Sequence, residues 1–253
     1  MRLDRLNSME EYILDRGTVS LTEMKEHFNM STNTIRRDID ELIKRGHIKK
    51  VYGGVTAVTT DAPMPISFRR SRNQDGKEEI GVLAREFVND GEMIFLDSGS
   101  TVLYMLPYLR DMTDLTIVTH NLSAMLEVAK YPNLKLIALG GMYNASTSSF
   151  IGITTEETLQ RYNFGTVFIC ATGVSLEKGL TNTTYVEAEI KRKVVEKADR
   201  VILLADHTKF GISSTISFFP FEKLYAIVTD RKPSEDFLKV IEENNIILSY
   251  QDQ

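Results

Sequence analysis

Two sets of residues in this chain have the types and spacing to bind an anion. The first recurs where apolar runs end, as Asp97-Ser98-Gly99-Ser100-Thr101, Thr119-His120-Asn121, Gly140-Gly141, Thr172-Gly173 and Asp206-His207-Thr208-Lys209-Phe210-Gly211. Ser98, Gly99, Ser100 and Thr101 offer hydroxyls and backbone N–H groups ahead of an expected helix, a combination that suits a phosphate. Gly140 and Gly141 would let a ligand approach the backbone, and Lys209 would add a positive point charge. Asp97 would accept from sugar hydroxyls, with His120, Asn121 and Gly173 at neighbouring ends. Each piece alone is an ordinary cap, turn or surface lysine; their recurrence at strand ends makes the case. The second set is Ser31, Thr32, Asn33, Thr34, Arg36 and Arg37, at the exposed N-terminal end of an amphipathic helix. Small polar residues and arginines there suit the major groove of double-stranded DNA.

These sets need elements to position them. Ser31 can cap the second set's helix, Ile35, Ile39, Leu42 and Ile43 share its buried stripe, and Gly46 ends it. Before it come a helix over 3–15 closed by Gly17, a capping box at Ser20-Leu21-Thr22-Glu23, and a short helix from Leu21 to Phe28. After it, β-favouring runs flank Tyr52-Gly53-Gly54, which reads as a hairpin. Helix-turn-helix followed by hairpin is a winged DNA-binding unit, with Lys49, Lys50 and Tyr52 on the wing and the lysines against phosphates. Residues 31–56 hold six Lys/Arg against three Asp/Glu, although the chain's net charge is −5. A small basic patch on an acidic body suits a protein that meets DNA in one place.

The prolines and small polar residues after position 58 read as a linker over 59–74, its basic run Ser67–Arg72 as a solvated connector. From 75 to 253 helices alternate with apolar strands, at Met93–Leu96, Leu115–Val118, Leu134–Leu139, Val167–Ala171, Val201–Ala205, Leu224–Val228 and Ile246–Leu248. Helices are expected at 101–110, 121–130, 154–162, 185–198 and 234–243. The fold class is α/β: an N-terminal winged helix-turn-helix over 1–58 and a C-terminal, mostly parallel sheet covered on both faces. Ligands of such sheets bind beyond the C-terminal strand ends, where the first set lies.

With 253 residues and 42% hydrophobic content, the chain is ordinary globular material. Its charged start lacks a signal-peptide core, no apolar run reaches the length of a membrane span, and the single cysteine, Cys170, reads as a core residue. A cytoplasmic protein is expected, with no metal or cofactor, since His120 and His207 lack metal-type partner spacing. An isomerase would need a general base; Asp97, Glu187 and Glu189 are available, but Glu187 and Lys191 read as an i,i+4 pair on an ordinary charged helix.

Thr34-Ile35-Arg36-Arg37-Asp38-Ile39, Tyr52-Gly53-Gly54, Asp97-Ser98-Gly99-Ser100-Thr101, Gly140-Gly141 and Asp206-His207-Thr208-Lys209-Phe210-Gly211 together resemble the DeoR family of bacterial transcription regulators over nearly the whole chain. The resemblance implies a C-terminal domain similar in fold to sugar-phosphate isomerases, and operator binding altered by a phosphorylated sugar or related intermediate. It implies that Ser98–Thr101 form the phosphate loop and that Gly140, Gly141 and Lys209 form other walls. The chain departs from the family pattern at Ser100, at His120 and at Ser175, where a carboxylate is missing. The expected protein is a non-enzymatic repressor of a carbohydrate catabolic operon, working as a homo-oligomer, dimer or tetramer.

Overall fold

Near the start of the chain, the backbone obeys the local signals. In the structure, a computed structural model describing residues 2–46, 48–58 and 66–251, α1 (Arg2–Arg16) stops at Gly17 with φ +74°. A short strand not foreseen, β1 (Thr18–Ser20), leads into α2 (Leu21–Phe28). Ser20 Oγ accepts from the Glu23 N–H at 3.1 Å while Glu23 Oε2 accepts from the Ser20 N–H at 2.8 Å, a complete capping box. The DNA-reading candidate is α3 (Thr32–Lys44), and Ser31 Oγ caps it from 3.3 Å. The hairpin of β2 (Ile48–Val51) and β3 (Gly54–Ala57) follows, and β1 joins it in the sheet order β1-β3-β2. Leu6, Met9 and Ile13 of α1 pack on Met24, on Ile35, Ile39 and Leu42 of α3, and on Val19, Ile48 and Val55 of the sheet. Each such side chain contributes about 1.5–3 kcal/mol of burial.

The chain divides into two units, Met1–Asp61 and Ala62–Gln253. Residues 59–65 of the expected linker lie outside the described residues. The rest is not a solvated connector: Ile66–Ser71 form a helix, α4, with Phe68 buried, and α5 (Gln74–Ala84) follows at once. The sequence reading saw the charge of Arg69, Arg70 and Arg72 and underweighted Ile66 and Phe68.

The large unit continues β4 (Met93–Leu96), β5 (Thr116–Thr119), α6 (Leu122–Val128), β6 (Lys135–Ala138), β7 (Met142–Asn144), β8 (Ser149–Ile151), α7 (Ile153–Leu159), β9 (Phe164–Ile169), β10 (Gly173–Ser175), β11 (Gly179–Asn182), α8 (Tyr185–Val195), β12 (Ala198–Leu204), β13 (Ile216–Phe219), β14 (Ala226–Val228), α9 (Glu235–Glu243) and β15 (Ile247–Ser249). Among the described residues, the seven apolar runs named from sequence become one sheet in the order β15-β14-β12-β9-β4-β5-β6. Every neighbouring pair in it is parallel. Alternate residues enter opposite cores. Phe95, Val167, Ile169 and Leu203 meet α7, α8 and α9 on one face. Ile94, Leu96, Phe168 and Ile202 meet α5, α6 and the 102–109 turns on the other. The two small antiparallel sheets, β7-β8 and β10-β11-β13, were not foreseen.

The helix expected over 101–110 is instead two 3-10 turns, Thr101–Tyr104 and Leu106–Leu109. Pro107 lacks the backbone N–H that a continuous α-helix would direct to the Leu103 carbonyl, and it stands at the start of the second turn instead. The Ser98–Thr101 loop therefore opens onto a single tight turn and has no α-helix dipole behind it.

Candidate functional site

On the small unit, Asn33, Arg36, Arg37, Lys49 and Lys50 are exposed, Thr32 is half-buried, and Tyr52 at the wing tip is fully exposed. Ser31 and Thr34 are occupied with each other, their hydroxyls 2.9 Å apart at the helix start, so both shape the N-terminal end of α3. The same helix is pinned from behind. Arg5 donates to both oxygens of buried Asp38, at 2.8 and 3.2 Å, and Arg45 reaches Glu10 at 2.5 Å. Lys50 meets Asp40 at 2.6 Å on an open surface, and such a pair holds weakly enough to exchange for a phosphate.

On the large unit, the sequence order of the sheet reverses between β4 and β9, the crevice where open parallel sheets hold ligands. Asp97 ends β4 and Cys170 ends β9, and Asp97 Oδ2 accepts from the Cys170 N–H at 2.9 Å. Gly99 lets the next loop lie against that strand end, because a Cβ there would stand 2.3 Å from Cys170 Sγ. Ser98, Ser100 and Thr101 are buried in the same place.

Asp97 does not take the expected role of an open acceptor. It is fully buried, and Lys191 Nζ donates to its Oδ2 and to the Cys170 carbonyl, the latter at 2.7 Å. Burial alone would raise the Asp97 pKa, but Lys191 and His120 outweigh it and hold the carboxyl well below the usual carboxylate range. His120 donates through Nδ1 to the Phe150 carbonyl at 2.8 Å. Its Nε2 stands 3.8 Å from Asp97 Oδ1, and neither atom has a hydrogen-bond partner among the described residues. Asn121 serves the fold, capping α6 at Ser123 and Ala124 and donating to the Asp97 carbonyl at 3.4 Å.

The glycine pairs also do other work than expected. A Cβ at Gly141 would lie 2.4 Å from Thr155 Oγ1, and one at Gly173 would lie 2.7 Å from the Ile212 carbonyl oxygen, so both glycines admit the chain's own neighbours. Gly140 faces open space and its carbonyl accepts from Thr155 at 2.7 Å.

Lys209 belongs to a group of cations that the sequence reading missed. Burial lowers its pKa, which Asp206 opposes and Arg72 and Arg69 reinforce. Lys77, buried in α5, is lowered to about 8, by burial first, with Asp206 opposing and Lys209 and Arg69 adding to the effect. Arg69 is lowered by burial, against Glu187, Cys170 and Asp97. Glu187 is buried and accepts from Thr184 at 2.8 Å, so α8 carries no Glu187–Lys191 pair. Among the described residues no group of His, Cys, Asp and Glu could hold a metal, and no helix is long and apolar enough to cross a membrane.

A winged helix-turn-helix joined to a parallel α/β domain with a cationic crevice defines a DNA-binding regulator with a second, sensor-type domain. The chain belongs to the DeoR family: residues 5–61 match the DeoR-like helix-turn-helix domain and residues 72–231 the DeoR C terminal sensor domain. It is 41% identical to the HTH-type transcriptional regulator IolR of Bacillus subtilis (strain 168), over 97% of this chain and 98% of that one. It is 27% identical to the Glycerol-3-phosphate regulon repressor of Escherichia coli (strain K12), over 96% and 97%. Such full-length relatives are transcription regulators, and this protein is one, not an enzyme. A solved structure of D-ribose-5-phosphate isomerase in complex with phospho-erythronic acid aligns over 54% of each chain at 17% identity, with a TM-score of 0.41.

Proposed function

We propose that this regulator represses a carbohydrate catabolic operon, and that a phosphorylated sugar or related intermediate, bound beyond β4 and β9, lowers its affinity for operator DNA. One observation carries the reading. Among the described residues, the Ser98 and Thr101 hydroxyls and the Lys209 amine have no hydrogen bond or ion pair, while Lys77 and Arg69 add positive charge to the same crevice. Unspent donors beside crowded cations suit a phosphoryl group. The name of the Escherichia coli relative, a glycerol-3-phosphate regulon repressor, supports that ligand class. A cytoplasmic homo-oligomer, dimer or tetramer, would set paired wings on spaced half-sites, and the ligand acts by binding the two states unequally.

The test is thermal unfolding of the full chain with a panel of sugar phosphates and their unphosphorylated parents. A matching phosphate at a hundred times its Kd stabilises by about 2.7 kcal/mol. Lys209→Ala loses that gain and keeps ligand-free operator binding. Stabilisation by the unphosphorylated parents alone, or by no compound at millimolar concentration, removes the effector reading.

A further inference from the structure

The residues between the two family matches, 62–71, belong to neither. Yet α4, which lies there, is fastened at its C-terminal end by side chains of the candidate site. Ser100 Oγ donates to the Arg69 carbonyl at 3.3 Å. Lys77 Nζ donates to that same carbonyl and to the Arg72 carbonyl, the latter at 2.5 Å. The Tyr104 hydroxyl donates to the Arg70 carbonyl at 2.8 Å. These are the carbonyls a helix leaves unsatisfied where it ends. A helix of six residues cannot hold itself in water, so these ties and buried Phe68 hold it.

We infer that Ser100 and Lys77 are shared between the anion site and α4, so that an anion entering the Ser98–Thr101 loop takes donors away from the end of α4 and loosens it. A phosphoryl oxygen is a charged acceptor and competes well for a hydroxyl held by a neutral carbonyl at 3.3 Å. The Lys77 ammonium follows the same negative charge. In sequence only residues 59–65 separate the N-terminal end of α4 from the described part of the DNA-binding unit, so α4 is the segment through which site occupancy is passed on. This rests on the loop being the phosphate site.

Reciprocity gives the inference a sign. If anion binding and the fastening of α4 compete, weakening a tie that touches no ligand must tighten anion binding. Tyr104→Phe removes such a tie. The experiment is backbone amide exchange of the full chain, read by mass spectrometry over 66–73 and 96–103, with and without inorganic phosphate against chloride of equal ionic strength. Phosphate should protect 96–103 and speed exchange over 66–73 several-fold. Tyr104→Phe should speed 66–73 without phosphate and tighten phosphate binding about threefold. Ser100→Ala should leave 66–73 fast with or without phosphate. Protection at 96–103 with unchanged or slowed exchange at 66–73, or weaker phosphate binding by Tyr104→Phe, overturns the inference and leaves the proposed site standing. No protection at 96–103 and no thermal stabilisation overturns both.

Discussion

The two units use positive charge in opposite ways. In the small unit Arg36, Arg37 and Lys49 stand in solvent, on a helix and hairpin packed over an apolar cluster, and the buried carboxylates Asp38 and Glu10 are met by Arg5 and Arg45. In the large unit Lys77 and Lys191 are buried, 3% exposed each, against backbone carbonyls and a carboxylate. Exposed cations cost little to place and act additively, but salt screens them. Buried cations cost several kcal/mol each to desolvate, so each must be balanced by fixed partners. The first arrangement suits a long polyanion met from outside, and the second suits one small anion held in a prepared place.

The hardest test of that contrast is Lys191→Met, which strands the Asp97 carboxylate in the core. Unfolding of the large unit should lose about 3–5 kcal/mol, while Asp97→Leu combined with Lys191→Met should recover most of it. The pH dependence follows from the lowered Asp97 pKa. The pair's contribution is complete above the unfolded carboxyl value, about 4, and is lost as pH falls toward the folded one. Denaturant melts should therefore show the largest deficit of the single variant near neutral pH, shrinking in acid. A deficit below about 1 kcal/mol would make Lys191 no different from a surface cation.

On the small unit, Arg36→Ala and Arg37→Ala should each cost about 1–3 kcal/mol of operator binding if the side chain reads a base, with stability unchanged. Mobility-shift titration against specific and random DNA separates base readout from phosphate contact. Loss of sugar-phosphate binding in either variant would erase the division between the units.

A smaller effect belongs to Lys77, whose pKa of about 8 lies below the ordinary lysine value because burial penalises the charge. The amine is charged below that value and neutral above it. Affinity for a phosphomonoester, already a dianion above pH 7, should therefore fall about three- to tenfold as pH rises from 7.5 to 9. Calorimetry in buffers of different ionisation enthalpy should show proton uptake on binding near pH 8. Lys77→Met should abolish both signs, and a flat profile in the parent protein would place Lys77 outside the anion's field.

Legibility in the sequence divides along the same line. The small unit was readable because its instructions are local: Ser20 with Glu23, Ser31 with Thr34, Gly17 after α1. The seven parallel strands were readable as apolar runs, since strands buried on both faces need no alternation. What failed was anything set by distant partners. Spacing put Lys191 with Glu187, one helical turn away; the fold put it with Asp97, 94 residues away. The connector reading of Arg69 and Arg72 failed because charge was counted without asking where Phe68 would go. The helix expected after the Ser98–Thr101 loop became two 3-10 turns, the second of them holding Pro107. β1 and the two small sheets are too short to show a period.

The finest distinction lies between two neighbours on the wing. Lys49 and Lys50 are both exposed, yet Lys50 already meets Asp40 at 2.6 Å. An exposed pair is worth at most about 1 kcal/mol, so DNA can break it, but breaking it offsets part of what the phosphate contact returns. Lys49→Ala should reduce the slope of log affinity against log salt by about one. Lys50→Ala should weaken binding at low salt less than Lys49→Ala, and Asp40→Ala should strengthen it slightly by freeing Lys50 and removing a carboxylate from the DNA-facing side. Equal losses for the two lysines, with Asp40→Ala neutral, would mean that the ion pair does not persist in solution. The exposed cations of this unit would then be independent of their protein neighbours, a sharper form of the contrast with the buried ones.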